Sequence, residues 1–254
     1  MTSEYWITGH KSGLGKFLLS SLKPSRAFDP RKNVVDLNKE TLSNITLINC
    51  GFKRINHNEE VNLVSFDANV SNQLKLSKIP FKRSIICSSI DVYPNDNKMN
   101  IESREIKNKD ITSIYAYQKL LVENFFLNNQ SNSTVMRLPM LIGRECKDNT
   151  VIKLLKGEDL RLCENSTINV VEYNHILNFI KCVEHINLNG VYNIVASQNA
   201  VLGDIANILN IKPSFGKYLY MTPSISNKKL DNYFSDLNRS TADIIKNFAV
   251  NASF

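Results

Sequence analysis

Glycine is scarce in this chain of 254 residues, which has 9 glycines where an average composition would supply roughly 18. Hydrophobic residues make up 43% and charged residues 22% of the sequence. These are ordinary globular values, and they exclude a disordered or collagen-like chain. A chain of this length can also bury a large core without disulfide or metal cross-links. The composition therefore predicts an ordinary globular protein.

Long apolar runs and cysteine motifs are also missing. No stretch approaches the roughly 18 to 20 apolar residues needed to cross a bilayer, and the N-terminus lacks the features of a signal peptide. The 5 cysteines are scattered without a C-x-x-C pair, and the 4 histidines lie far from any cysteine pair, so zinc-ligand spacing is absent. We expect a soluble protein of the reducing cytoplasm, with neither a metal site nor a membrane partner.

The charge balance is basic, with a formal net charge of +7. Basic surfaces attract polyanions, so a nucleic-acid ligand has to be considered. However, the lysines and arginines are spread along the chain without a dense basic block. A diffuse positive field suits a small phosphorylated ligand equally well, and no nucleic-acid partner is expected.

Short β-forming segments alternate with helical patterns along the chain. The expected strands are residues 5–8, 26–29, 45–49, 83–88 and 191–195, and the clearest expected helices are 114–127 and 172–185. Strands that alternate with helices predict an α/β fold with a doubly wound parallel sheet of the Rossmann type.

One third of the glycines fall in a single turn between the first strand and the first helix, with the spacing G-x-x-x-G-x-G. A parallel α/β sheet needs glycines there for a tight turn, for approach of backbone amides to a pyrophosphate and for close helix packing. The helix N-terminus then faces the phosphates. The alternative is a tight turn without a ligand. The residues expected to contact a dinucleotide are Gly9, Lys11, Ser12, Gly13, Leu14 and Gly15.

Asp29 ends the second expected strand, twenty residues beyond Gly9. A carboxylate at this place commonly bonds the adenosine ribose hydroxyls, which favours NAD. Three cations could instead pair with a 2′-phosphate, which favours NADP: Lys11, Arg31 and Lys32. Both cofactors stay open, with a slight preference for NADP, and a plain Asp-Pro turn is the alternative role for Asp29.

Residues 115–119 contain the only Y-x-x-x-K of the sequence, on an expected helix. Positions i and i+4 share one helix face, so the Lys119 ammonium can lie near the Tyr115 phenol. A nearby cation lowers a phenol pKa that starts near 10, and this would let Tyr115 exchange a proton with a substrate oxygen. The alternative is an amphipathic helix with a solvated lysine.

A third motif, Ser88-Ser89-Ile90-Asp91-Val92-Tyr93, follows an apolar strand. Parallel sheets bind ligands at the carboxyl ends of their strands, so a hydroxyl here could hold the substrate oxygen that Tyr115 protonates. The alternative is a serine-rich strand end that bonds its own backbone.

In this order, the TGxxxGxG turn, the SSxxVY strand end and the YxxxK helix resemble the short-chain dehydrogenase/reductase superfamily. Three fragments look like its extended, sugar-nucleotide-modifying epimerase/dehydratase branch: residues 47–51, 137–143 and 190–194. The resemblance covers roughly residues 5–210. The chain departs from the usual pattern at Pro94, at Tyr117 and Gln118 within Y-x-x-x-K, and at Glu172.

The resemblance implies a role for each matching residue. Gly9, Gly13 and Gly15 would cradle the pyrophosphate, and Asp29 would bond the adenosine ribose. Further cofactor contacts are implied for Arg31, Asn49, Cys50 and Gly51. Ser89 would be the catalytic hydroxyl, Tyr115 the general acid or base, and Lys119 the group that bonds the nicotinamide ribose. The implied substrate contacts are Ser89, Tyr93 and Arg144, and Asn69 would be a structural asparagine.

The resemblance also implies how the chain is divided and what it does. Residues 1–254 would form one Rossmann-type unit, mainly dinucleotide-binding over 1–142. Residues 143–254 would be mainly a small C-terminal substrate lobe, with 167–195 returning to the sheet. The implied function is an NAD(P)-dependent reductase of a 4-keto nucleotide sugar. The alternatives are a nucleotide-sugar 4-epimerase with retained NAD and a non-catalytic cofactor-binding regulator. A homodimer is implied as well.

Overall fold

The computed structural model describes residues 4–31, 42–53, 66–111, 113–144 and 146–251. Its strands are β1 (Glu4–Thr8), β2 (Arg26–Phe28), β3 (Ile45–Asn49), β4 (Arg83–Ser89), β5 (Ser133–Leu138), β6 (Met140–Ile142), β7 (Thr167–Ile168), β8 (Val170–Glu172), β9 (Gly190–Asn193) and β10 (Ala200–Val201). Its helices are α1 (Gly13–Leu22), α2 (Asn72–Ser77), α3 (Ile114–Asn129), α4 (Thr150–Leu155), α5 (Tyr173–Ile186), α6 (Leu202–Ile208) and α7 (Thr241–Asn251).

The chain divides into two compact units that interleave along the sequence. Unit 1 consists of Met1–Pro94, Glu105–Arg137 and Ile180–Tyr192. Unit 2 consists of Asn95–Arg104, Leu138–Phe179 and Asn193–Phe254. The assignment of cofactor binding to residues 1–142 and of substrate binding to 143–254 stays a prediction.

Six strands form one sheet in the order β2-β1-β3-β4-β5-β9. The pairings of β1 with β2, of β1 with β3 and of β3 with β4 are parallel. The predicted Rossmann-type α/β fold is confirmed. From β1 the chain adds β2 on one side and then β3 on the other, so the direction of strand addition reverses at β1. Sheets of this kind bind ligands beyond the carboxyl ends of the strands at such a reversal.

The core of unit 1 lies against this sheet. Every residue of β3 is buried, as expected for a parallel strand covered on both faces. Trp6 of β1 packs edge-on against Phe28 and Phe81, with ring centroids 5.9 and 6.2 Å apart. The guanidinium of Arg26 lies 4.5 Å above the centre of the Trp6 ring. The single tryptophan of the chain therefore anchors the sheet edge.

The predicted elements match the structure closely in the first half of the chain. The five expected strands correspond to β1, β2, β3, β4 and β9, although β9 spans Gly190–Asn193 and stops before the expected end at residue 195. The two expected helices correspond to α3 and α5. The strand β5 is not predicted by the pattern, because Ser133, Thr134 and Arg137 are polar and yet buried.

Unit 2 has its own core and two small sheets. Strand β6 pairs in parallel with β8, and β7 pairs antiparallel with β10. Of the residues expected to return to the large sheet, only 190–193 lie in it. The tail beyond residue 212, for which the sequence predicts no element, contains α7. The Thr241 hydroxyl at the start of α7 accepts a hydrogen bond from the Val170 amide at 3.3 Å.

Within the residues described, none of the helices is long and apolar enough to cross a membrane.

Candidate active site at the carboxyl ends of the sheet

The glycine turn after β1 brings the start of α1 to the carboxyl edge of the sheet. Gly9 has a φ of +69°, and a Cβ at this residue would lie 2.6 Å from the Cys50 carbonyl carbon. A Cβ at Gly15 would overlap the Gly9 carbonyl oxygen and lie 2.7 Å from its carbon. Both positions therefore require glycine, because any side chain would push the turn away from β3 or from α1.

The first amides of α1 have no side-chain cap. Ser12 precedes the helix with extended backbone, and its side chain makes no capping hydrogen bond. The first amides of a helix have no acceptor within the helix and carry the positive end of its dipole. Amides in this position bind phosphate groups.

A closed ring of side-chain hydrogen bonds holds the loop after β3 against the glycine turn. The Gly51 amide donates to the Thr8 hydroxyl at 3.0 Å, and that hydroxyl donates to the Asn49 carbonyl oxygen at 2.6 Å. The Asn49 side-chain amide donates to the Gln73 side-chain oxygen at 2.7 Å. The Gln73 side-chain amide in turn donates to the Gly51 backbone carbonyl at 3.2 Å, which closes the ring. Asn49 is buried in this ring, so its side chain fixes the loop. No sequence motif marks Gln73, which lies in α2.

Asp29 is paired with Arg31 just beyond β2. Its carboxylate accepts from the Arg31 Nε at 2.7 Å and from the Arg31 backbone amide at 3.1 Å. The hydrogen bond from Arg31 and the charge of Lys11 hold the pKa of Asp29 below its usual value, against the effect of burial. The Arg31 side chain is half exposed. Lys32 lies outside the described residues.

Tyr115 and Lys119 lie on the same face of α3. The Ser113 side chain caps this helix by accepting from the Ala116 amide at 3.1 Å. The Lys119 ammonium donates to the Cys87 carbonyl oxygen at 2.8 Å and lies 4.2 Å above the centre of the Phe52 ring. It is 5.8 Å from the centre of the Tyr115 ring. Phe52 meets Tyr115 edge-on, with centroids 5.2 Å apart.

Burial dominates the electrostatics of Lys119. Its side chain is almost fully enclosed, and this burial lowers the pKa of Lys119, while the negative charges available at Cys87, Cys50 and Glu123 oppose the shift. A cation fixed among a carbonyl and two aromatic rings is held in one place by cation–π attraction. The sequence predicted the proximity of Lys119 to Tyr115, but not the part that Phe52 plays in it.

Asn69 connects α3 to the loop after β3. It lies in the helical turn Asp67–Ser71, which leads into α2. Its side chain accepts from the Lys53 amide at 2.7 Å and donates to the Lys53 carbonyl at 2.9 Å. It also donates to the Gln118 carbonyl oxygen at 3.0 Å. Gln118, which replaces a small residue of the family pattern, therefore supports the loop that carries Phe52.

Ser89 lies at the end of β4, where its hydroxyl bonds locally. It accepts from the Asp91 amide at 3.2 Å and donates to the Asp91 carboxylate at 3.2 Å. This is the local backbone bonding that the sequence left as the alternative. Its role as a catalytic hydroxyl stays a prediction, and that role would require the Ser89 hydroxyl to turn from Asp91 toward a substrate.

Tyr93 and Arg137 are buried and contact each other. Tyr93 is buried, and the Arg137 guanidinium lies 4.7 Å from the centre of its ring. Arg137 donates to the Glu123 carboxylate at 2.7 Å, and the Ser88 hydroxyl donates to the same carboxylate. Burial, the largest single effect, lowers the pKa of Arg137, but the charge and hydrogen bonding of Glu123, together with Tyr93, raise this pKa overall.

This ion pair is not predicted by the sequence, because Glu123 lies on α3 and Arg137 on β5. The structure shows that the Arg137 charge is matched inside the protein by Glu123. Arg144, the other substrate contact implied by the family, belongs to unit 2 and is exposed in a turn after β6. The substrate contacts of Tyr93 and Arg144 stay predictions.

No family model matches the sequence, and no curated protein matches it significantly. Solved structures do match. A short-chain dehydrogenase/reductase superfamily protein from Agrobacterium tumefaciens with bound NAD superimposes with a TM-score of 0.69 at 14% identity, over 98% of this chain and 96% of that one. This chain therefore shares its fold with that protein.

Two further proteins share this fold. The dTDP-4-dehydrorhamnose reductase of Bacillus anthracis, in complex with NADP, has a TM-score of 0.81 at 16% identity, covering 99% of this chain and 100% of that one. The UDP-glucuronic acid 4-epimerase of Bacillus cereus, in complex with NAD and a fluorinated substrate analogue, has a TM-score of 0.71 at 15% identity, covering 96% and 99%. The resemblance read from the motifs is confirmed at the level of the fold.

Proposed function

We propose that this protein is an NAD(P)-dependent oxidoreductase that reduces a 4-keto nucleotide sugar. One observation carries the proposal: the Lys119 ammonium is fixed 2.8 Å from the Cys87 carbonyl and 5.8 Å from the Tyr115 ring centre. This pair lies in the same unit as the glycine turn. Supporting it, the fold is shared with a reductase and an epimerase of nucleotide sugars.

The residues present fit a dinucleotide. A Cβ at residue 9 would fill the space between the turn and Cys50, and the uncapped start of α1 offers amides to the pyrophosphate. The residues that would hold the cofactor are Gly9, Ser12, Gly13, Leu14 and Gly15 at the phosphates, Lys11, Asp29 and Arg31 at the adenosine end, and Tyr115 and Lys119 at the nicotinamide ribose. When bound, the nicotinamide supplies the hydride that reaches the substrate carbon.

The side chains then move the proton. Tyr115 donates its phenolic proton to the substrate oxygen, and the nearby Lys119 ammonium stabilises the phenolate that remains. Ser89 holds the same oxygen by a hydrogen bond when its hydroxyl turns from Asp91. The aromatic contact with Phe52 keeps the Tyr115 ring in place and excludes water from its face.

A 4-epimerase is the second candidate, since it would use the same residues and a protein of this fold has that activity. The two differ in cofactor exchange, because an epimerase keeps its cofactor bound while a reductase releases it each turnover. We expect the purified protein to contain no stoichiometric nicotinamide, and to be stabilised by added NADPH by mass action. Release of one nicotinamide per chain on denaturation would contradict the reductase and support the epimerase.

Arg31 is expected to select NADPH over NADH. In Arg31→Ala the 2′-phosphate loses a charge-assisted hydrogen bond of about 1.5–3 kcal/mol, so the Kd for NADPH should rise about tenfold or more. The Kd for NADH should stay constant or fall, since the Asp29 carboxylate is released to meet the ribose hydroxyls. Titration of each cofactor by fluorescence or calorimetry measures both values.

Lys75→Ala is the matched control for Arg31, since Lys75 is an exposed basic residue of unit 1 on α2. It removes the same charge from the overall field and should leave both Kd values unchanged. Equal losses of NADPH and NADH affinity in Arg31→Ala would show that Arg31 does not read the 2′-phosphate.

A further inference from the structure

Two cysteines meet beside the proposed catalytic lysine, although 37 residues separate them in the sequence. Cys50 directly follows β3, and Cys87 lies within β4. The register pairs Asn49 with Ile86, so the next residues of the two strands are neighbours. Their sulfur atoms are 3.4 Å apart, and both cysteines are free thiols.

The spacing of the two strands suits a disulfide. Neighbouring strands lie about 4.8 Å apart, and disulfides join Cα atoms separated by about 4.4 to 6.8 Å. An S–S bond measures about 2.0 Å, so the two sulfurs, now 3.4 Å apart, have to approach by about 1.4 Å. Rotation of the two side chains and a shift of the backbone have to supply this approach.

The surroundings favour oxidation of this pair. The hydrogen bond with Cys50 and the charge of Lys119 lower the pKa of Cys87, while burial opposes them. Cys50 is partly buried as a residue, and its hydrogen bond with Cys87 and its burial raise the pKa of its own thiol, so Cys87 is the thiol that ionises first. Thiolates beside a cation are the reactive form of cysteine.

We propose that Cys50 and Cys87 form a reversible dithiol–disulfide site that small peroxides oxidise. One thiolate attacks the peroxide, the O–O bond breaks, and a sulfenic acid and hydroxide form. The second thiol then attacks the sulfenic sulfur, so that an S–S bond replaces the S–O bond and water leaves. In balance, two thiols and one hydrogen peroxide give one disulfide and two waters.

The disulfide has a consequence that rests on the proposed function. The carbonyl that holds the Lys119 ammonium belongs to Cys87, and the Cys50 backbone borders the glycine turn. A covalent link between the two residues shifts the backbone at both points. Oxidation is therefore expected to weaken NADPH binding about tenfold, the scale of one charge-assisted hydrogen bond.

The dithiol site is tested on the full-length protein without reference to activity. The native protein is treated with one equivalent of hydrogen peroxide, denatured and alkylated with N-ethylmaleimide. Its mass, measured by mass spectrometry, then gives the number of alkylated thiols. We expect two fewer alkylated thiols than the 5 present in the chain, a Cys50–Cys87 linked peptide after digestion, and full reversal by dithiothreitol. A different linked pair, or a sulfinic acid at either residue in place of the link, would overturn the proposal.

Single Cys→Ser variants identify which two cysteines form the link. Cys50→Ser and Cys87→Ser should each abolish the paired loss of thiols. Cys182→Ser, the control on α5 in the same unit, should still lose two. Peptide mapping of the unmutated protein decides the question even where a variant does not fold.

A cofactor titration separates the two proposals. Reduced protein should bind NADPH, and oxidised protein should bind it about tenfold more weakly until dithiothreitol is added. Equal binding by the two forms would show that the disulfide does not act on the cofactor site. Failure of the reduced protein to bind any nicotinamide would overturn the proposed function and leave the disulfide result standing.

Discussion

Tyr115→Phe is expected to lower kcat by about two to four orders of magnitude, the contribution of a positioned general acid. The substitution removes one hydroxyl and keeps the ring, so the edge contact with Phe52 and the nearby cation of Lys119 remain. Stability and the Kd for NADPH should therefore change little. Steady-state turnover of a 4-keto nucleotide sugar with NADPH, together with a cofactor titration, measures both effects.

Tyr117→Phe is the matched control for this experiment. It removes the same atom from the same helix, but the Tyr117 side chain is 40% exposed and does not share the face of Tyr115 and Lys119. Its kcat should equal that of the unmodified protein. Undiminished turnover in Tyr115→Phe would disprove the proposed proton transfer, and an equal loss in both variants would point to damage of α3.

Glu123→Ala is expected to destabilise the protein by about 3–5 kcal/mol, the cost of leaving a buried charge without its partner. Glu123 and Arg137 are 1% and 4% exposed, and the Arg137 guanidinium cannot lose its proton at any working pH. The Ser88 hydroxyl loses its acceptor as well. Urea unfolding followed by circular dichroism, with the slope checked for two-state behaviour, measures the change.

Asp148→Ala is the control for the buried pair. Asp148 accepts from Lys156 at 2.9 Å, close to the 2.7 Å of the buried pair, but both side chains are exposed. Exposed ion pairs commonly contribute nothing measurable, so the unfolding midpoint should not move. The double variant Glu123→Met with Arg137→Met should recover most of the lost stability, because it removes both charges together. Similar midpoints for Glu123→Ala and Asp148→Ala would contradict the argument from burial.

Much of the fold and part of the candidate site follow from local sequence. Strands such as β3 are short segments rich in β-forming residues, and the helical period of α5 is clear. The glycines at 9 and 15 are predicted because a turn of this kind has no room for a Cβ. The i and i+4 spacing places Lys119 next to Tyr115, since it is a property of one helix. The chemical roles of these residues remain to be tested by the variants above.

The contacts that arise between distant segments could not be predicted in this way. No sequence motif includes Gln73, Phe52 or Glu123. The sequence also does not distinguish Arg137 from a surface arginine, since only the structure shows that β5 is buried. The Cys50–Cys87 pair appears as two scattered cysteines in the sequence. Each contact depends on which strands are neighbours in the sheet.

The sequence by itself determined five strands of the large sheet (β1, β2, β3, β4 and β9), the helices α3 and α5, the glycine turn and the pairing of Tyr115 with Lys119. Each of these depends on backbone sterics or on the period of a single element. Only the tertiary structure decided that the ends of β3 and β4 lie side by side. It also decided that a buried carboxylate meets Arg137, and that Asn49 and Gln73 close a ring around the loop. The physical reason is that a parallel sheet aligns the carboxyl ends of strands from remote parts of the chain, and burial there favours polar groups that hydrogen-bond one another.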